Sequence, residues 1–145
     1  MNRILIASLA VLFLLYVGDP ALAQQVVGTL YDEGVFAYEG GDYKVAEPVL
    51  KKALDVEPTH PAVNHLLGQT YIKMEQYDIT KTYLQTAWQG DPESINLTYD
   101  RAFLYYKLEQ YGKAAELFKT VLKEEPSRVL ASFYCGVSLY RERQY

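Results

Sequence analysis

The sequence is short of the residues on which common site chemistries depend. It contains one cysteine, so no disulfide can form within the chain, and only two histidines. It has no glycine-rich phosphate-binding loop, no Cys-x-x-Cys pair and no nucleophile elbow. Its 14 lysines and arginines are outnumbered by 18 aspartates and glutamates, which disfavours nucleic acid as a partner. We therefore predict no catalytic residue, no cofactor and no metal, and hence a protein that is not an enzyme.

The histidines and the cysteine do not form a metal-binding pattern. His60 and His65 are five residues apart, whereas two histidines need i, i+4 spacing to share a helix face. We interpret both as surface or groove residues. Cys135 lies in an apolar stretch, which predicts a buried and unreactive thiol.

Long hydrophobic runs are confined to the beginning of the chain. Arg3 supplies a positive charge, residues 4–17 are uncharged and apolar, and Ala21-Leu22-Ala23 matches an A-x-A cleavage site. This order predicts a signal peptide over residues 1–23, cleaved between Ala23 and Gln24. An uncleaved anchor is the less favoured alternative, because crossing a bilayer takes about 20 apolar residues.

Tyrosine is the residue that the chain has in excess, with 14 copies. The tripeptide Glu-Gln-Tyr occurs at 75–77 and again at 109–111, and Tyr43 precedes Tyr77 by the same interval. This interval is 34 residues. It divides the chain, without insertions, into the repeats 27–60, 61–94 and 95–128 and a shorter repeat 129–145, which follow a short segment at 24–26. Such self-similarity is typical of a repeat architecture.

Each residue class keeps to its own column of the repeat. Apolar residues follow the i, i+3, i+4 spacing of a helix, and a turn is expected near positions 14–17, so each unit reads as two helices. Pro48 lies inside the second helix of the first repeat and predicts a kink there. Position 8 holds a small residue (Gly34, Gly68, Ala102 and Gly136) and position 17 holds a tyrosine (Tyr43, Tyr77 and Tyr111). Position 32 holds a proline that ends the second helix (Pro58, Pro92 and Pro126).

This pattern resembles the tetratricopeptide repeat (TPR) family, whose repeat of about 34 residues has small residues at 8, 20 and 27, Tyr at 17 and Pro at 32. The resemblance implies an all-α TPR superhelix (alpha-alpha solenoid) with three full repeats and the first helix of a truncated fourth. That last helix is strongly apolar, whereas a terminal repeat needs a polar outer face. We therefore expect a fragment of a longer array, or self-association through this end.

The resemblance also implies a binding groove lined by positions 2, 5, 9, 12 and 13 of the first helices. Aromatic residues dominate these positions, and Lys73, Lys107 and Arg141 recur at position 13. The partner would be a protein or peptide segment, acidic or carboxylate-bearing. The chaperone-tail carboxylate clamp is not matched, since its positions hold Tyr31, Val35, Leu66, Asn96 and Asp100. The groove candidates are Tyr31, Tyr38, His65, Gln69, Lys73, Asn96, Tyr99, Phe103, Tyr106, Lys107, Phe133, Tyr140 and Arg141.

The resulting hypothesis is a non-catalytic interaction scaffold, exported to the bacterial periplasm, that assists the assembly of an envelope or secretion complex. Two alternatives remain open. The chain could be the N-terminal repeat region of a longer enzyme whose catalytic domain lies beyond residue 145, or a structural spacer that self-associates.

Overall fold

The computed structural model describes residues 19–144 as seven α-helices and no strand. The helices are α1 (Pro20–Glu39), α2 (Tyr43–Val56), α3 (Pro61–Lys73), α4 (Tyr77–Gly90), α5 (Ile95–Lys107), α6 (Tyr111–Glu124) and α7 (Val129–Glu142). They group into a first unit that ends at Pro58 and a second unit that begins at Thr59. The predicted all-α class is confirmed.

The beginning of α1 overlaps the predicted signal peptide. Residues 1–18 and Tyr145 lie outside the described part of the chain, so most of that prediction does too. The helix begins at Pro20, where the Asp19 side chain accepts a hydrogen bond from the backbone N–H of Ala21 at 2.9 Å. Residues 24–26, predicted as a segment ahead of the first repeat, are part of α1. Among residues 19–144, no helix is long and apolar enough to cross a membrane.

The same turn joins the two helices of every pair. After α3, the N–H of Gln76 donates to the carbonyl of Tyr71 and the N–H of Glu75 donates to that of Ile72, which is a Schellman motif. The residue at the centre of this motif must adopt a left-handed backbone. Position 15 does so in all three turns, with φ of 78° at Gly41 and 59° at both Glu75 and Glu109. The helix-turn-helix unit therefore closes where the sequence predicts a turn.

Small residues at position 8 allow the paired helices to approach closely. A Cβ atom added at Gly34 would clash with Leu50 of α2, and one added at Gly68 would clash with Leu84 of α4. Ala102 occupies the same position in α5 and is completely buried. Position 8 is therefore a point of close contact between paired helices at Gly34 and Gly68.

The tyrosine and proline columns mark the ends of the second helices. Tyr43, Tyr77 and Tyr111 are the first residues of α2, α4 and α6, and all three are half-buried. The prolines at position 32 lie in the connections that follow these helices. In the first unit, α2 continues through Pro48, which lies inside that helix and cannot donate a backbone hydrogen bond.

The core of the second unit lies between the stacked helix pairs. One cluster joins Leu84 and Ala87 of α4 to Leu97 and Leu104 of α5. The other joins α5 and α6 to α7 and includes Phe118 and Cys135. Cys135 is buried, as predicted from its sequence context, and its thiol lies 3.9 Å from the carbonyl of Ala115. This packing sets the helices α3, α5 and α7 side by side.

Candidate functional site

The candidate site is the surface that α3, α5 and α7 form in the second unit, and we call it the first-helix surface. The helix α5 lies between the other two and packs against both. Among the predicted groove residues of this unit, His65, Gln69, Tyr99, Phe103 and Tyr106 are half-buried. The exposed ones are Lys73, Asn96, Lys107, Phe133, Tyr140 and Arg141. Tyr31 and Tyr38 belong to the first unit, where both are half-buried and Tyr38 meets the edge of Tyr43 with ring centroids 5.5 Å apart.

An aromatic cluster lies where α5 and α7 meet on the first-helix surface. Its centre is Tyr134 of α7, whose ring centroid lies 5.1 Å from that of Phe103 and 5.0 Å from that of Tyr106. Tyr134 also stacks on the buried Phe118 at 5.9 Å and meets the exposed Phe133 at 5.2 Å. Edge and stacked contacts at these distances stabilise ring pairs beyond their buried area. The cluster is therefore a rigid apolar platform that is anchored in the core and open at its outer side.

A polar bridge connects α3 to α5 beside this platform. His65 Nε2 lies 2.7 Å from Asp100 Oδ2, and Gln69 Nε2 donates to the same oxygen at 2.7 Å. The side chains of His65 and Asp100 are only 20% and 16% exposed. Hydrogen bonds to a charged acceptor are stronger than neutral ones and gain further from partial burial. Two predicted groove residues thus orient a carboxylate rather than point freely into solvent.

A second bridge connects α5 to the beginning of α7 through Arg128. Its guanidinium donates to Asn96 Oδ1 at 3.0 Å and to Glu125 at 2.9 Å, and lies 4.1 Å from the ring centroid of Tyr99. Burial raises the pKa of the Tyr99 phenol, Tyr134 raises it further, and Arg128 partly opposes the shift. The predicted groove residues Asn96 and Tyr99 are therefore held by the arginine at the end of their own repeat, directly before α7.

The basic residues at position 13 lie at the opposite end of this surface. Lys73, Lys107 and Arg141 are all exposed near the carboxyl ends of their helices, where a cation is favoured by the helix dipole. Lys107 Nζ lies 5.4 Å from the ring centroid of Phe103 and 5.9 Å from that of Tyr77. An exposed ammonium group therefore borders the aromatic platform.

Three residues of this surface were missed by the sequence prediction as site residues. Tyr134 and Asp100 occupy position 6 and Arg128 occupies position 34. The residue type at each of these two positions changes from one repeat to the next. Position 6 holds Asp32, Leu66, Asp100 and Tyr134, so no repeated residue type draws attention to it. A usable signal is its neighbourhood, because position 6 directly follows the groove position 5 in each first helix.

The described residues offer no metal centre. No group of three or more His, Cys, Asp or Glu side chains within residues 19–144 is placed to hold a metal ion. His60 instead ends the connection before α3, where its Nδ1 accepts a hydrogen bond from Val63 N–H at 3.3 Å. An apolar platform with charged groups at its borders is suited to recognise a partner surface.

Two sequence profiles match the chain. One, described as the anaphase-promoting complex, cyclosome, subunit 3, matches residues 39–121, which is more than half of the chain. The other is described as the tetratricopeptide repeat and matches residues 99–145. No curated protein sequence matches this chain.

Several solved structures are similar in fold. The first TPR of Spaghetti (RPAP3), bound to the HSP90 peptide SRMEEVD, has a TM-score of 0.74 at 17% identity and covers 80% of this chain and 92% of its own. A MamA protein from Desulfovibrio magneticus RS-1 has a TM-score of 0.74 at 23% identity, with coverages of 81% and 66%. An O-GlcNAc transferase from Thermobaculum terrenum has a TM-score of 0.73 at 20% identity, with coverages of 81% and 22%.

The profile matches and the helix-turn-helix units lead to one assignment. The repeats of this chain have a constant length, and the three turns between paired helices share the same left-handed backbone at position 15. Position 8 makes a close contact with the paired helix at Gly34 and at Gly68. The protein belongs to the tetratricopeptide-repeat family and has its all-α solenoid fold.

Proposed function

We propose that this protein is an interaction scaffold that binds a segment of a partner protein on the first-helix surface. The observation that carries the proposal is the aromatic platform around Tyr134, which is anchored on Phe118 and bordered by the exposed Lys107. Aromatic groups offer a large contact area at a low cost in conformational entropy. They therefore supply most of the affinity, and the charged groups at the borders supply orientation.

The partner segment is expected to carry bulky apolar side chains and an acidic group. The apolar side chains would pack on Phe103, Tyr106 and Tyr134, and the acidic group would meet Lys107. Each exposed ion pair contributes only about 0.2–1 kcal/mol. The HSP90 peptide in the similar RPAP3 structure is itself acidic, which supports a peptide partner of this kind. Asp100 disfavours an acidic group at the other end of the surface, beside His65 and Gln69.

Selection from a random peptide library against the purified chain tests this proposal. We expect enriched peptides to combine aromatic or aliphatic residues with aspartate or glutamate. Binding of these peptides should weaken on Tyr106→Ala, which removes part of the platform, and on Lys107→Glu, which reverses the charge beside it. Lys119→Glu on α6 is the matched control, because that lysine is exposed on a second helix. Peptides that bind both charge variants equally well would contradict the proposal.

We propose further that the chain acts outside the cytoplasm, in the periplasm, in the assembly of an envelope or secretion complex. The support is the order of a basic start, an apolar run and an A-x-A site in residues 1–23. Fusion of residues 1–30 to a reporter enzyme that folds only after export tests the location. Amino-terminal sequencing of the secreted fusion should begin at Gln24, and a reporter retained inside the cell would contradict export.

Two other functions have an observation in their favour. The similar O-GlcNAc transferase shows that this fold occurs within a much longer enzyme chain, which keeps open an enzyme whose catalytic domain follows residue 145. The reading frame beyond codon 145 distinguishes this alternative, since a catalytic domain would break the repeat period. Self-association through α7 is the other candidate, and the exposed apolar side chains of that helix favour it.

A further inference from the structure

Asp100 is a carboxylate of the first-helix surface whose hydrogen-bonding capacity is only half used. His65 and Gln69 both bind its Oδ2, and no donor in the described part of the chain binds its Oδ1. The Asp100 side chain is 16% exposed, and its Oδ1 is not sealed from solvent, because the one sealed and unpartnered side-chain atom among the described residues is Ser138 Oγ. A carboxylate can accept about four hydrogen bonds. The Oδ1 atom is therefore open to a donor from another molecule.

The negative charge of Asp100 has no permanent cation beside it. Its one ion pair in the described part of the chain is with His65, which is a cation only when it is protonated. The arginines of the neighbouring segments are engaged elsewhere, because Arg101 lies 4.6 Å from a tryptophan ring and Arg128 pairs with a glutamate at 2.9 Å. A further acidic residue, Asp91, lines the same cavity as His65. This end of the surface is therefore complementary to a cationic group.

Asp100 lies on one face of α5 with an aromatic residue and a cation. Asp100, Phe103 and Lys107 are spaced by three and four residues, which places them in one row along the helix. The seven residues from Asp100 to Lys107 correspond to about 10 Å along the axis. Phe103 lies between the two charges, and Lys107 Nζ is 5.4 Å from its ring centroid. The row therefore presents an acid, an aromatic group and a base in that order.

The end of the surface at Lys107 offers exposed cations. Lys73 and Arg141 occupy the same repeat position as Lys107 and are also exposed. Glu75 and Glu109 lie in the turns that follow the two lysines, but neither forms an ion pair with them in the described part of the chain. The glutamate that ends α7 is directed to the beginning of α6. Lys107 can therefore pair with a carboxylate of a partner.

We infer that the partner segment places a lysine or arginine on Asp100, an apolar side chain on Phe103 and an acidic side chain on Lys107. This inference rests on the proposed function and adds the basic group to it. Because the two charges of α5 are about 10 Å apart, the basic and acidic residues of the segment are separated by about three residues if it is extended, or about seven if it is helical. The reverse order would set like charges together at both ends, so the charges also fix the direction of the segment along α5.

Peptide selection against charge variants tests this inference. The same random peptide library is selected against the unmodified chain, Asp100→Asn and Lys107→Gln. Peptides selected by the unmodified chain should combine a basic and an acidic residue at a constant separation. Those selected by Asp100→Asn should lose the basic residue and keep the acidic one, and those selected by Lys107→Gln should show the opposite. Asparagine retains an acceptor for the α3 side chains, and circular dichroism checks that each variant is folded.

Fluorescence polarisation with a selected peptide measures the contact itself, at about pH 8, where a free imidazole is neutral. Replacement of the basic residue of the peptide by glutamine should weaken binding to the unmodified chain roughly threefold to tenfold. The same replacement should change binding to Asp100→Asn by less than about twofold, because the two changes remove one shared interaction. Asp32→Asn is the matched control, since Asp32 is exposed at the same repeat position in α1, and it should keep the full sensitivity.

The outcomes separate this inference from the proposed function. If Asp100 only supports the fold, Asp100→Asn should weaken both peptides equally, and that result would overturn the inference. Selected peptides that bind through apolar and acidic residues, with no preference for a basic one, would also overturn it and leave the proposed function standing. Failure of every peptide to bind the unmodified chain would overturn both.

Discussion

Replacement of Glu109 by glycine should stabilise the protein, because this residue has a backbone conformation that only glycine adopts without strain. Its φ of 59° lies in the left-handed region. A side chain there costs roughly 1–2 kcal/mol, and the greater freedom of glycine in the unfolded chain offsets roughly 0.5–1 kcal/mol of the gain. We therefore expect Glu109→Gly to raise the free energy of unfolding by about 0.5–1 kcal/mol. The first repeat already carries glycine at this position, as Gly41 with φ of 78°.

Urea unfolding followed by circular dichroism measures this effect. The control is Glu109→Ala, which removes the same carboxylate but keeps a Cβ, so its unfolding free energy should stay close to that of the parent. The converse variant, Gly41→Ala, should lower the free energy of unfolding by about 1 kcal/mol. If glycine and alanine at position 109 have the same effect, the left-handed conformation is not what limits stability at this turn. The result also bears on the site, because this turn joins the helix that carries Tyr106 to the one that begins with Tyr111.

Three further predictions concern the packing, the polar bridge and the pH dependence. Gly68→Ala should lower the free energy of unfolding by about 1–3 kcal/mol, because the added Cβ would clash with Leu84, whereas Gly136→Ala should raise it by up to about 1 kcal/mol. Urea unfolding of the two variants measures both changes, and equal changes would contradict the difference in packing. Asp100→Ala should cost about 1–2 kcal/mol by the same assay, because His65 and Gln69 lose their common acceptor, and a neutral result would show that solvent replaces it. Burial raises the pKa of Tyr99 above its ordinary 10.0, so the phenol of the unfolded chain ionises first. The stability that this phenol contributes below about pH 10 is therefore lost as the pH rises further. Tyr99→Phe should reduce the fall in unfolding free energy between about pH 9 and about pH 11, and an identical fall in the variant would refute this role.

Much of the local structure could be predicted because it depends on contacts within one repeat. The turn after each first helix, the proline that follows each second helix and the small residue at position 8 all involve residues of the same unit. A column of identical residues therefore corresponds to the same local geometry in each copy. The burial of Cys135 was also predicted and is confirmed, although this residue packs against α5 and α6 of the preceding repeat.

The site was less predictable because its contacts connect residues that are far apart in the sequence, either in neighbouring repeats or at opposite ends of one repeat. Position 5 and position 9 drew attention as groove positions, but His65 and Gln69 bind Asp100, and Tyr99 and Asn96 are held by Arg128. These partners lie about one repeat away and do not recur from one repeat to the next. Tyr134 was not singled out, although it contacts more of the aromatic platform than any predicted residue does.

The sequence by itself determined the repeat, the two helices in each unit and the position of the turn between them. Each of these is imposed by steric and hydrophobic demands that every copy of the unit must meet separately. Only the tertiary structure decided which side chains of α3, α5 and α7 meet. The physical reason is that contacts between first helices depend on the offset from one repeat to the next. That offset results from the packing of whole helix pairs and is not encoded in any single column of the repeat.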